Sequence, residues 1–190
     1  HVVFATGAQS DRALDIPGED AIGSHPATDF VAWYNGHPDF ADRRFDLSAR
    51  SVAIVGLGNV AVDVARVLCR SPDELGATDI ADYALEALRA SRVRTVYLLG
   101  RRGPAQAAFA PEEIRELGEL AGADVQVRPD EALLDAVSRA DLERSGDKRA
   151  ASNAAIVHAL SQWQAQGRER TLIIRFMVSP TEILTDDAGR

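Results

Sequence analysis

The sequence lacks several features, and each absence excludes a class of protein. It has a single cysteine, Cys69, so an intrachain disulfide and a cysteine-cluster metal site are excluded, and we expect no metal. No apolar run approaches the roughly 20 residues that a membrane helix requires, and no signal peptide is visible. Because Cys69 has apolar neighbours at helical spacing, we interpret it as a small buried side chain. These absences predict a globular protein of the cytoplasm.

Lysine is also scarce, because Lys148 is the only one among 21 basic residues and the others are arginines. With 29 acidic residues, the chain has a formal net charge of −8 and a pI near 5.0. This charge repels nucleic acid and anionic membranes, so we expect neither as a partner. A ligand that carries phosphate therefore needs local positive groups.

The 190 residues, 46% of them hydrophobic, are enough for one packed domain. Strand patterns occur at 1–5, 51–56, 93–99, 124–127 and 171–178. Helix patterns occur at 26–35, from residue 59, within 71–92, and at 111–121, 130–138 and 152–165. The charged stretch 138–150 is interpreted as a solvated connection. This alternation predicts an α/β fold, a Rossmann-like three-layer domain with a mostly parallel sheet.

The predicted strand at 51–56 leads into a glycine-paired turn and then a helix. Gly56 allows the tight turn, and Gly58 lets the backbone approach a pyrophosphate. The following helix brings its N-terminal N–H groups and partial positive charge to the same place. Asn59, at the start of that helix, either caps backbone N–H groups or offers its amide to a phosphate. The motif predicts a dinucleotide site, with an ordinary strand-to-helix turn as the alternative.

The next predicted strand ends at Gly100, Arg101 and Arg102, where an NAD site usually has an acid that binds the ribose 2′-hydroxyl. That acid would repel a 2′-phosphate, whereas a guanidinium can bind one through two parallel hydrogen bonds. Each such charge-assisted bond contributes about 1.5–3 kcal/mol. The arginine pair therefore indicates NADP, with a solvated strand end as the alternative. The helix predicted within 71–92 explains the long gap between glycines and arginines.

Two acids follow the arginines on a predicted helix. Glu113 and Glu116 are three positions apart, so they project from the same side of it. They could orient a nicotinamide or transfer a proton, but spacing alone favours a solvated surface. His25, His37 and His158 have no ligand spacing, and we assign them no catalytic role.

Longer motifs connect these residues to a known family. GNVAVDVAR, which starts at Gly58, and GRRGPAQAAF, which starts at Gly100, are the most specific of several motifs that extend over nearly the whole chain. They resemble the NADP-binding domain of the NADPH:adrenodoxin reductase and bacterial ferredoxin–NADP reductase family. In that family FAD occupies a separate nucleotide-binding fold, hydride passes from NADPH to the flavin, and single electrons go to an iron–sulfur protein.

The resemblance implies a fragment of a flavoprotein oxidoreductase with two dinucleotide-binding domains. Residues 1–8 would end the FAD-binding part and residues 9–190 would form the NADP-binding domain. FAD belongs to the full-length enzyme, and we do not expect this chain to bind it, because Gly56-Leu57-Gly58 is its one G-x-G. A ferredoxin-like iron–sulfur protein is the expected partner of the full-length enzyme.

The same resemblance assigns roles to individual residues. Arg101 and Arg102 would hold the 2′-phosphate, and Glu113 and Glu116 would face the nicotinamide, with Glu116 as the catalytic residue. The residues it implies for cofactor binding are Gly56, Gly58, Asn59, Val60, Arg101, Arg102 and Glu113.

Two other functions compete with this one. A noncatalytic NADP-binding sensor or scaffold module could use the same fold, because a fold does not determine a function. A self-sufficient short-chain dehydrogenase would need a lysine four positions after a tyrosine. The three tyrosines are followed at that distance by Pro38, Ala87 and Arg101, which gives the dehydrogenase little support.

Overall fold

The structure is a computed structural model that describes residues 11–187 and 189. Within these residues the strands are β1 (Ser51–Val55), β2 (Thr95–Leu99), β3 (Ala123–Val127) and β4 (Arg170–Arg175). They form one sheet in the order β1-β2-β4-β3, and every neighbouring pair is parallel. The predicted α/β class with a mostly parallel sheet is therefore confirmed. The strand predicted at 1–5 lies outside the described residues.

The helices of the described residues connect and cover these strands. They are α1 (Ala27–Tyr34), α2 (Asn59–Cys69), α3 (Pro72–Gly76), α4 (Asp82–Arg89), α5 (Pro111–Gly118), α6 (Pro129–Ala132), α7 (Ala136–Ser145) and α8 (Lys148–Leu160). Short 3-10 helices lie at Pro38–Phe40 and Pro104–Gln106. Parallel strands need such crossover connections, since a tight turn cannot join them.

The core lies between one face of the sheet and the helices. Helix α2 contacts β1, β2 and β4, while α8 contacts β3 and α5 packs between these two helices. On this face Val96, Leu98 and Leu172 are fully buried. The alternate side chains of the same strands point the other way, and Tyr97 and Ile173 there are half-buried.

The charged stretch 138–150, predicted as a solvated connection, is instead helical except at Gly146 and Asp147, which separate α7 from α8. Asp135 accepts hydrogen bonds from the N–H groups of Val137 and Ser138, both at 2.8 Å, and so caps α7. Asp147 caps α8 in the same way. No residue of α7 is buried, so this helix leaves no apolar periodicity in the sequence. The predicted helix at 130–138 is correspondingly divided between α6 and α7, and α8 begins four residues before its predicted start.

Cys69 is fully buried, as its apolar neighbours predicted. Burial raises the pKa of its thiol to about 12. Across residues 11–187 and 189, none of the helices combines the length and apolar character needed to cross a membrane. The same residues contain no cluster of three or more His, Cys, Asp or Glu side chains arranged to hold a metal ion.

Candidate nucleotide-binding site

The glycine turn joins β1 to α2 at the carboxyl edge of the sheet. Gly56 has φ +130°, a conformation that L side chains rarely adopt. Gly58 is the N-cap of α2, so the first N–H groups of this helix have no partner inside it. A Cβ added to Gly56 or Gly58 would meet no described atom within 4 Å. The turn therefore presents backbone donors to open space, which is the arrangement that a pyrophosphate requires.

Leu57 connects this turn to the end of β2. A Cβ built on Gly100 would lie 2.5 Å from Leu57 Cγ and closer still to its Cδ1, so a larger residue fits here only if the Leu57 side chain moves. The Leu57 carbonyl oxygen also accepts hydrogen bonds from the N–H groups of Ala108, at 2.9 Å, and Phe109, at 3.0 Å. The glycine turn and the end of β2 are thus held directly against each other.

Arg101 and Arg102 follow Gly100 immediately, and both are exposed. Their backbone is fixed, because the Gly100 N–H donates to the Arg175 carbonyl at 2.9 Å and the Met177 N–H donates to the Arg102 carbonyl at 3.3 Å. In the described part of the chain, neither guanidinium makes an ion pair or a hydrogen bond. Two exposed arginines, unpaired within the described residues, therefore directly follow the glycine that packs against the turn.

Asn59 has a contact that the sequence did not predict. Its Oδ1 accepts a hydrogen bond of 2.8 Å from the Ala110 N–H, at the start of α5. It therefore binds the backbone of a different helix, whereas the sequence left open a cap on its own helix or a bond to phosphate. Val60, the next residue, is 42% exposed beside the turn.

Glu113 and Glu116 lie on the same side of α5, as their spacing predicts, and both contact Arg66 of α2. Glu113 Oε2 is 3.2 Å from Arg66 Nη1, and Glu116 forms a closer ion pair with the same nitrogen. Asp63 pairs with the other terminal nitrogen of Arg66. The two glutamates are thus joined to α2, where spacing alone favoured a solvated surface.

Arg66 is the site residue that the sequence interpretation missed. Burial lowers the pKa of its guanidinium, but the carboxylates of Asp63, Glu116 and Glu113 outweigh burial and raise that pKa above its usual value. Its spacing from Asp63, three positions within α2, was a readable signal for an ion pair. Its contacts with α5 span about 50 positions of sequence and have no local signal.

Glu116 also lines a cavity of about 460 Å³ whose wall includes Tyr34, Asn35 and Arg66. Burial, together with the nearby Asp63 carboxylate, raises the pKa of Tyr34 to about 12. The side chain of Glu116 is 47% exposed, against 29% for Glu113. Of the two acids, Glu116 is thus the more accessible to a ligand.

We compared the chain with known protein families and with individual proteins. No family model matches the chain. It is 46% identical, over an alignment of 205 residues, to the NADPH-ferredoxin reductase FprA of Mycobacterium leprae, with all of this chain and 44% of that protein covered. It is 42% identical to the mitochondrial NADPH:adrenodoxin oxidoreductase of Arabidopsis thaliana, with 98% of the chain and 39% of that protein covered.

A solved structure agrees with these sequence matches. Mycobacterium tuberculosis FprA in complex with NADPH superposes with a TM-score of 0.87 at 46% identity, with 96% of this chain and 39% of that chain covered. The chain therefore spans about two-fifths of the length of these relatives. The resemblance that the motifs indicated is confirmed.

Proposed function

Since the chain is related in sequence and fold to one segment of the ferredoxin and adrenodoxin reductases, we propose that it is the NADPH-binding domain of such a reductase. The alternative of a noncatalytic sensor has no support among these relatives, whose names describe oxidoreductases. Nothing in the geometry of the site favours the sensor either.

The observation that carries the proposal is the pair of exposed arginines held beside the glycine turn. A 2′-phosphate has a negative charge that the net charge of −8 would repel. Arg101 and Arg102 have no carboxylate partner within the described residues, so a ligand phosphate has no ion pair to displace. A bidentate contact contributes about 1.5–3 kcal/mol for each charge-assisted bond before desolvation. A preference for NADPH of at least about tenfold is therefore expected.

The glycine turn would hold the pyrophosphate. Gly56 sets the turn, and the open space beside Gly58 admits the ligand close to the backbone. The N–H groups of Asn59 and Val60, in the first turn of α2, would donate to phosphate oxygens, and the helix dipole favours the same negative charge.

Glu113 and Glu116 would act on the nicotinamide side. Arg66 holds both side chains on the same side of α5, and an ionised carboxylate accepts hydrogen bonds, such as those of a carboxamide NH₂ group. Glu116 is the more exposed of the two and is our choice of catalytic residue, with Glu113 in cofactor binding. NADPH, when bound, supplies a hydride.

The remaining proposals concern the whole protein. Residues 9–190 would form the NADP-binding domain, and residues 1–8 would end a FAD-binding part that receives the hydride. FAD would pass electrons to a ferredoxin-like iron–sulfur protein, as the names of the relatives suggest. A cytoplasmic location, which the scarcity of cysteine indicates, belongs to the same proposal.

Calorimetric titration of the chain with NADPH and with NADH tests the function. We expect tighter binding of NADPH, and we expect Arg101→Ala and Arg102→Ala each to reduce the preference by about tenfold. Arg92→Ala is the matched control, because Arg92 is also exposed but precedes β2 at the opposite edge of the sheet. Equal affinity for the two nucleotides, or equal losses in all three variants, would contradict the proposal.

A further inference from the structure

Met177 is the single methionine of the chain, and it is 67% exposed just after β4. It has φ +58°, a left-handed conformation that is uncommon for residues other than glycine. Hydrogen bonds hold the backbone on both sides of it. The Phe176 N–H donates to Glu131 Oε2 at 2.8 Å. The Val178 N–H donates to the Gly100 carbonyl oxygen at 3.0 Å. The structure therefore fixes the backbone of Met177 and leaves its flexible apolar side chain exposed.

This side chain lies next to the arginine pair. The Met177 N–H donates to the Arg102 carbonyl oxygen, and Met177 Sδ lies 3.9 Å from the position that a Cβ on Gly103 would take. In NADPH the adenine and the 2′-phosphate are bonded to neighbouring carbons of the same ribose. A nucleotide whose 2′-phosphate is bound by Arg101 and Arg102 therefore has its adenine within reach of the Met177 thioether. A thioether sulfur makes favourable contacts with aromatic rings.

The thioether is also the accessible sulfur of the chain. A peroxide can transfer one oxygen atom to Sδ: the O–O bond breaks, an S=O bond forms, and sulfur loses the two electrons that the peroxide gains. Hydrogen peroxide then leaves as water. Cys69, the other sulfur-containing residue, is fully buried, and burial raises the pKa of its thiol to about 12. It therefore offers an oxidant little thiolate.

We propose that Met177 is an oxidation site for peroxides beside the arginine pair, and that its sulfoxide weakens nucleotide binding. The effect on the nucleotide rests on the proposed function, whereas the oxidation itself does not. Oxidation turns an apolar side chain into a polar one and so removes the apolar contact with adenine. The new oxygen accepts hydrogen bonds, so it also competes with the 2′-phosphate for the guanidinium groups of Arg101 and Arg102. Methionine sulfoxide reductases reverse the change.

The test treats the 190-residue chain with hydrogen peroxide. Mass spectrometry of its peptides measures the sulfoxide at Met177, and calorimetry measures the affinity for 2′,5′-ADP, which carries the adenine and the 2′-phosphate without a nicotinamide that peroxide could attack. We expect oxidation of Met177 with Cys69 unmodified, and a loss of affinity of about twofold to tenfold. Treatment with methionine sulfoxide reductases specific for the two epimers should restore the affinity. Saturating 2′,5′-ADP should slow the oxidation several-fold.

Three variants separate the sulfur atom from its surroundings. Met177→Leu keeps an apolar side chain that peroxide cannot oxidise, so it should bind 2′,5′-ADP nearly as the wild type does, before and after peroxide. Met177→Gln places a polar group of similar length at the same position and should bind about as weakly as the oxidised chain. Leu184→Gln makes the same apolar-to-polar change at another residue after β4, which is 80% exposed. This matched control should leave the affinity unchanged.

Each half of the proposal can fail separately. If peroxide oxidises free methionine but leaves Met177 intact, the oxidation site is overturned. If the wild type binds 2′,5′-ADP, and the oxidised chain and Met177→Gln bind it equally well, the effect on the nucleotide is overturned while the proposed function stands. The same half fails if Met177→Leu loses as much affinity in peroxide as the wild type. A wild-type chain that does not distinguish NADPH from NADH contradicts the proposed function, and mass spectrometry still decides the oxidation site.

Discussion

Replacing Gly100 with alanine tests how firmly the glycine turn is held against the arginine pair. The new Cβ would lie 2.5 Å from Leu57 Cγ. The backbone of Leu57 is held by the N–H groups of Ala108 and Phe109, which donate to its carbonyl oxygen, so the clash has to be relieved by its side chain leaving its present rotamer. Overpacking of this kind costs about 1–3 kcal/mol. Since about 1 kcal/mol shifts the melting temperature of a chain of this size by about 2–4 °C, we expect a decrease of roughly 2–12 °C.

Thermal unfolding of the wild type and four variants, Gly100→Ala, Leu57→Ala, their combination and Gly76→Ala, measures the effect. The double variant Gly100→Ala, Leu57→Ala should recover part of the loss caused by Gly100→Ala, because the clashing side chain is gone. Gly76→Ala is the control, since a Cβ there would lie 3.5 Å from Leu85 Cδ2, an ordinary contact. Leu57 does not pack on Gly100 as described if Gly100→Ala has the melting temperature of the wild type. The same conclusion follows if the decrease in the double variant equals the sum of the decreases in the two single variants.

Three further predictions concern stability and reactivity. Burial raises the pKa of the Cys69 thiol to about 12, so a thiol reagent at pH 8 should label the chain only after denaturation. Arg66→Met should lower the free energy of unfolding in urea by about 1–3 kcal/mol, because three carboxylates lose their shared partner, whereas Glu116→Gln should cost less than about 1 kcal/mol. The N–H group of Gln166 and those of the next two residues keep the pKa of Asp124 below its usual value. Asp124→Asn should therefore melt below the wild type at pH 7, and the gap should narrow as the pH falls below about 4.

The sequence predicted those helices and strands that have one buried face, because such a face repeats apolar residues at a regular spacing along the sequence. β2 alternates buried and half-buried residues, and α2 carries a buried stripe that includes Val64 and Leu68. Helix α7 has no buried residue, so charge was its only visible feature and it was interpreted as a connection. Its cap, Asp135, was the local signal that could have identified it.

The candidate site likewise has parts that the sequence predicted and parts that it did not. The glycine turn and the arginine pair each occupy a few consecutive residues, so local motifs predicted them. The contacts that join these parts, Arg66 with Glu113 and Asn59 with Ala110, connect residues 47 and 51 positions apart. Such pairs depend on how α2 and α5 pack together, which no local pattern specifies.

The most direct measurement isolates the phosphate that Arg101 and Arg102 are proposed to bind. Calorimetric titration with 2′,5′-ADP and with 5′-AMP compares two ligands that differ only in the 2′-phosphate. We predict that the chain binds 2′,5′-ADP at least about tenfold more tightly, and that replacing both arginines with alanine removes the difference. Equal binding of the two ligands by the wild-type chain, or a preference that survives the double replacement, would contradict the assignment of these arginines to the 2′-phosphate.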